Sequence, residues 1–120
     1  MSMPQPLNQE TLDLLRSLDA GEPGSLARLI RLFVADSPTL LSRIEVAHER
    51  RDAEELRNAS HYLRSAALAL GADGLASAAH TVEHLQPPKF GTPEAVVQLA
   101  ALRSGLRDAV LSLMQVTDEI

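Results

Sequence analysis

Leucine and alanine recur at intervals of three and four residues along most of this chain, and this spacing limits what the chain can fold into. Of its 120 residues, 21 are leucine and 17 are alanine. Because successive residues of an α-helix turn by about 100°, such spacing places the apolar side chains on one helical face. Three aromatic residues and few β-branched ones leave little material for a sheet. We therefore predict an all-α fold.

The apolar pattern is divided by short breaks into four long segments. These segments are residues 25–50, 52–70, 73–85 and 93–113. Helices joined by short links pack as antiparallel neighbours and bury their apolar faces against each other. We predict an up-down antiparallel four-helix bundle with an additional short N-terminal helix packed across one end. Residues 1–6 are predicted to be a flexible leader, and residues 7–120 the helical domain.

Two sequence signals describe the first half of the bundle. Asn8 is predicted to cap the short first helix, in which Leu12, Leu15 and Leu18 are expected to face inward. Pro38 interrupts the backbone hydrogen bonding of residues 25–50, because proline has no N–H group. We predict one kinked helix there, since the apolar spacing continues on both sides of the proline.

Three further signals describe the second half. Gly71 follows the helix of residues 52–70 and is predicted to adopt the left-handed conformation that ends a helix. Asp73 is predicted to cap the next helix. Thr92 is predicted to cap the last one, which would begin at Pro93.

Composition excludes several classes of function. The chain has no cysteine, so disulfides, thiol chemistry and cysteine-based zinc sites are absent. A net charge of −5 and a single lysine argue against nucleic-acid binding. No apolar run is long enough to span a membrane, and no signal peptide opens the chain. We expect a cytoplasmic module with no direct membrane contact.

His61 is the residue that most strongly suggests chemistry. It lies roughly 160–180° from the apolar seam of its helix, so its imidazole should point at water. Arg57 and Arg64 flank it, and Ser65 is adjacent. A neutral imidazole is a good nucleophile near pH 7, and a nearby cation can hold the oxygens of a phosphoryl group. The spacing alone also permits a surface histidine without a role.

The helix of His61 contains a recognisable run of residues. It reads His61-x-Leu63-Arg64-Ser65-Ala66 and ends in Leu70-Gly71-Ala72. This run resembles the signature of histidine-containing phosphotransfer (HPt) domains. Residues 29–38 and 51–61 also resemble that family at matching spacing, and the similarity extends from about residue 12 to residue 85.

The resemblance implies a phosphorelay function. His61 would accept a phosphoryl group from an aspartate of a receiver (response regulator) domain and pass it to another receiver. Arg64 would stabilise the phosphoryl oxygens with help from Arg57, and Glu83 would hydrogen-bond the imidazole. The docking surface would include Tyr62, Ser65, Leu68 and Ala69.

The same resemblance bears on cofactors and context. The domain would need no cofactor or metal of its own, because Mg²⁺ is carried by the partner receiver. No independent kinase or hydrolase activity is expected. HPt domains occur as free-standing proteins and as carboxy-terminal domains of hybrid sensor histidine kinases, so covalent attachment to a membrane-bound kinase is compatible with this sequence.

Two alternative interpretations stay open. One is a helical interaction module that binds a receiver or regulator without being phosphorylated. The other rests on His80, Glu83 and His84, which form the pattern H-x-x-E-H of certain zinc hydrolases. A solvated polar face explains that pattern more simply. His48 is expected to contact the core or a helix terminus.

Overall fold

The structure, a computed structural model, describes residues 7–119 and contains no strand within that range. The α-helices are α1 (Gln9–Gly21), α2 (Ser25–Glu49), α3 (Ala53–Ala69), α4 (Asp73–Glu83) and α5 (Pro93–Glu119). A 3₁₀ turn at Pro87–Lys89 lies between α4 and α5. The all-α prediction is confirmed. The leader predicted for residues 1–6 lies outside the described residues.

Helices α2 to α5 form a four-helix bundle. Helix α3 packs against α2 and α4, while α5 packs against α4 and α2 and so closes the ring of contacts. Helix α1 packs on α2, which agrees with the prediction of an additional short N-terminal helix on the bundle. The core is almost entirely aliphatic, with Ile44, Leu56, Leu63, Leu102 and Leu113 among its least exposed members. No helix of residues 7–119 is long and apolar enough to cross a membrane.

Helix α3 has well-defined ends, which fix the position of its outer face. At its start the Asp52 carboxylate accepts a hydrogen bond from the backbone N–H of Glu55, at 3.1 Å. At its end Gly71 has a φ of 77°, as predicted for the residue that follows the helix. This conformation lets the Ala72 N–H donate to the Ala67 carbonyl at 2.9 Å. The chain then turns directly into α4.

Helix α2 is continuous through Pro38, so the prediction of a single helix is confirmed. Leu40 and Leu41 on one side of the proline and Phe33 on the other are all buried. Packing of this shared apolar face offsets the backbone hydrogen bond that proline removes.

The inward orientation predicted for Leu18 is wrong. Leu12 is buried and Leu15 is partly buried, but Leu18 is 63% exposed. Each step of three residues falls about 60° short of a full helical turn, so Leu18 lies about 120° around α1 from Leu12. A short helix that packs on one side cannot bury both.

The cap predicted at Asp73 is also wrong, whereas the cap at Thr92 is confirmed. Helix α4 begins at Asp73 itself, and Ala72 holds the cap position without a side-chain hydrogen bond. The Asp73 carboxylate instead accepts from the side-chain amide of Asn8 at 2.8 Å. The Thr92 hydroxyl oxygen accepts from the backbone N–H of Ala95 at 3.2 Å, and α5 begins at Pro93.

Candidate functional site

The imidazole of His61 projects from the outer face of α3. Its side chain is 64% exposed, whereas Ser60 and Leu63 beside it are fully buried. The apolar face of the helix therefore packs against the core, and His61 lies on the opposite, exposed face, as its position on the helical wheel predicts.

Glu83, the last residue of α4, lies directly beside this imidazole. Helices α3 and α4 are antiparallel neighbours joined by a tight turn at Ala72, and His61 and Glu83 lie at equal distances along the chain from that turn. The two residues therefore reach the same level of the bundle. The His61 Nδ1 lies 2.6 Å from Glu83 Oε1. The Glu83 side chain is only 8% exposed, so its charge is held at the edge of the core.

This contact sets the state of the imidazole. A carboxylate oxygen can only accept, so the hydrogen of the short contact belongs to Nδ1 of His61. The neutral ring then keeps its lone pair on Nε2, the nitrogen that is not tied to Glu83. The arrangement presents an oriented nucleophile on an exposed side chain.

Arg64 binds the second oxygen of the same carboxylate. Its Nη1 lies 3.2 Å from Glu83 Oε2, and its side chain is 33% exposed. Within residues 7–119, Arg64 hydrogen-bonds through Nη1 alone, so its Nε and Nη2 donors are not engaged by Glu83. This ion pair cannot be predicted from the sequence, because residue spacing identifies helical faces and not the depth of a side chain on a neighbouring helix.

A groove of about 760 Å³ opens beside the imidazole. It brings together several residues of α3 and the end of α4, among them Arg57, Tyr62, Ser65, Glu83 and His84. Three of the residues predicted for binding therefore line the same groove as His61.

A second groove, of about 370 Å³, adjoins the first and is mainly apolar. Tyr62 borders both grooves, and Ala69 borders the second, whereas the exposed Leu68 borders neither. Leu29 and Leu32 of α2 form its opposite wall and are 47% and 53% exposed. This exposed wall cannot be recognised in the sequence, since leucines at helical spacing are typical of a core.

The H-x-x-E-H residues do come together in space. His80, Glu83 and His84 each offer one ligand atom, and these atoms lie within 4.8 Å of one another. The two imidazole centroids are 4.2 Å apart. His84 Nδ1 also bonds the His80 carbonyl at 2.8 Å. The two rings project into solvent, as their position on α4 predicts.

His48 serves a different purpose. Its Nε2 accepts a hydrogen bond from the backbone N–H of Gly91 at 2.9 Å, and its ring lies edge-on to the buried Phe90 at 5.7 Å. The expected contact with the core is present, and it fixes the loop that leads into α5.

Comparison with known proteins gives one result. The family model of the Hpt domain matches residues 28–115, which is well over half of the chain and includes both His61 and Glu83. Neither the curated proteins nor the solved structures contain a match. Hpt domains carry out histidine phosphotransfer in phosphorelays and interact with receiver domains. With the helical bundle and the matched residues agreeing, the chain belongs to the Hpt domain family.

Proposed function

We propose that His61 accepts a phosphoryl group from a receiver-domain aspartate and passes it to a second receiver. The observation that carries this proposal is the contact between His61 Nδ1 and Glu83, at 2.6 Å, on a side chain that is otherwise exposed. It supports the proposal because the contact orients the ring and leaves Nε2 available for attack.

The chemical step balances without a further reactant. The Nε2 lone pair attacks phosphorus, an N–P bond forms, and the P–O bond to the aspartyl oxygen breaks. The aspartate leaves as a carboxylate, and the phosphorylated ring keeps its hydrogen on Nδ1. The ring now carries a positive charge, which the Glu83 carboxylate stabilises through the existing hydrogen bond. Transfer to the second receiver is the reverse of this step.

Two arginines are proposed to assist. Arg64 keeps donors that Glu83 does not use, and these would bind the phosphoryl oxygens. Arg57 is exposed and lines the same groove as His61, so it would supply a secondary positive charge. The domain contributes position and charge, and the Mg²⁺ ion belongs to the partner receiver.

The docking surface of the receiver is proposed to lie around His61. It would include the exposed side chains of Tyr62, Ser65, Leu68 and Ala69. The proposal includes a cytoplasmic location, where ATP drives the phosphorylation of sensor kinases. It applies equally to a free-standing protein and to a domain of a hybrid kinase.

The test is phosphotransfer from a purified receiver carrying labelled phospho-aspartate. Wild-type protein should acquire label that is lost in acid and stable in base, and His61→Gln should acquire none. His48→Gln is the matched control, since His48 contacts Phe90 and Gly91 away from the groove. Label that persists in His61→Gln would contradict the proposal. Receiver binding without any label would instead favour the interaction module.

A further inference from the structure

We propose that His80, Glu83 and His84 bind a divalent transition-metal ion of the zinc class, and that this ion slows phosphotransfer at His61. The first part stands on the geometry of α4. The second part rests on the proposed function, because it concerns the Glu83 carboxylate that also holds His61.

The three side chains are placed to chelate one ion. Residues three and four apart lie on the same side of a helix, so His80, Glu83 and His84 converge. Their ligand atoms lie within 4.8 Å of one another, whereas ligands of a tetrahedral zinc ion are about 3.3 Å apart. Both imidazoles are exposed, so small rotations of their side chains can close this gap.

His84 is already oriented as metal-binding histidines are. Its Nδ1 donates to the His80 backbone carbonyl at 2.8 Å, which leaves the Nε2 lone pair for a metal ion. A hydrogen bond from the second ring nitrogen to a carbonyl commonly fixes the tautomer of a metal ligand.

The ligand types indicate the class of metal. Two imidazoles and one carboxylate favour Zn²⁺ and its neighbours Co²⁺, Ni²⁺ and Cu²⁺ over Mg²⁺ or Ca²⁺, which prefer oxygen ligands. Three protein ligands leave the fourth position to water.

Glu83 couples this cluster to His61. Glu83 is itself one of the three ligands, and its Oε2 lies 3.2 Å from Arg64 Nη1 while its Oε1 contacts His61 Nδ1. A doubly charged ion on Oε2 repels the Arg64 guanidinium. It also neutralises the carboxylate that would stabilise the phosphorylated ring. Phosphotransfer should therefore be slower when the ion is bound.

Calorimetric titration of the tag-free chain with Zn²⁺ tests the site directly. We expect one ion per chain in the wild type and in His61→Gln, which keeps all three ligands. In His80→Gln the affinity should fall by at least about tenfold, as is usual when a metal ligand or its support is lost. His80 lines no part of the His61 groove, so this variant should transfer phosphate normally without metal.

Phosphotransfer from the labelled receiver tests the regulation. Zn²⁺ at a concentration just sufficient to fill the wild-type site should slow labelling about tenfold in the wild type, and it should slow His80→Gln much less because the weaker site of that variant stays largely empty. The wild type and His80→Gln receive label from the same receiver, so any effect of Zn²⁺ on the receiver itself would slow both reactions equally.

Each other result is decisive. Wild-type affinity in His80→Gln overturns the site, as does loss of binding in His61→Gln, which would make His61 a ligand. Equal inhibition of the wild type and His80→Gln overturns the regulation. Absence of label without metal overturns the proposed function and the regulation, while the calorimetric result still decides the metal site.

Discussion

His61 and His48 are both histidines on the bundle surface, yet their ring nitrogens are used in opposite ways. In His61 the Nδ1 is tied to Glu83, and the Nε2 forms no hydrogen bond with any residue from 7 to 119. In His48 the Nε2 accepts from the Gly91 N–H, and the ring rests against Phe90. The Glu83 contact leaves the Nε2 lone pair of His61 available for reaction. The Gly91 contact uses the Nε2 lone pair of His48 as a hydrogen-bond acceptor that fixes a loop. The nitrogen that a histidine uses for anchoring therefore decides whether the ring can also react.

The largest effect is expected from removing the anchor of His61. Glu83→Ala should slow labelling by phosphorylated receiver about 100-fold, because the ring loses both its orientation and a stabilising negative charge. Glu83→Gln keeps an oxygen acceptor without the charge and should slow labelling about tenfold. Stopped-flow or quench measurements of label uptake check both values. Wild-type rates in both variants would show that the anchor is unimportant.

Removing the imidazole of His48 should affect stability and not phosphotransfer. His48→Ala should lower the free energy of unfolding by about 2 kcal/mol, because the Gly91 N–H loses its acceptor and Phe90 loses a packing partner. The rate of phosphotransfer should not change. Urea denaturation measures the first effect. His80→Ala, which removes an exposed imidazole, is the control and should change stability by less than about 0.5 kcal/mol.

A smaller effect is expected at the loop that His48 holds. Gly91 has a φ of 78°, and a Cβ added there would lie 3.1 Å from the Arg51 side chain. Gly91→Ala should therefore lower the free energy of unfolding by about 1 kcal/mol. Gly21→Ala is the matched control, since an added Cβ there meets nothing within 4 Å. The same change in the free energy of unfolding in Gly91→Ala and Gly21→Ala would contradict the backbone strain expected at residue 91.

The smallest effect is expected at the rim of the His61 groove. Arg57→Ala should slow labelling about threefold at low ionic strength, since one positive charge near the incoming phosphoryl group is lost. The difference should vanish as salt is added. Arg107→Ala on α5 is the control, because Arg107 lines a different groove. A difference that persists at high salt would indicate a direct bond and not steering.

The fold could be predicted from the sequence where one strong pattern controlled the outcome. The apolar spacing on both sides of Pro38 gave a continuous α2, and Gly71 marked the end of α3 because few other residues adopt its conformation. The outward direction of His61 followed from the same periodicity. Leu18 was misplaced because a short helix buries a narrow face, and spacing alone does not say how narrow.

The site could be predicted only in part. The pairing of His61 with Glu83 was expected from the family resemblance, and the structure gives it a distance and a burial. The bond from Arg64 to the same carboxylate depends on side-chain lengths across two helices, which sequence spacing does not encode. The exposed wall of Leu29 and Leu32 depends on where α1 stops covering α2, a matter of packing between elements.

The nearly buried Glu83 lowers the stability of the bundle, because folding must remove its charge from water. An aliphatic side chain at this position would avoid that free-energy cost and could fill the same space. Selection for thermal resistance alone would therefore favour replacing Glu83. Such a replacement would give a more stable bundle in which the His61 imidazole is no longer oriented. Directed evolution for heat tolerance should therefore lose function first at this carboxylate, well before the fold itself is affected.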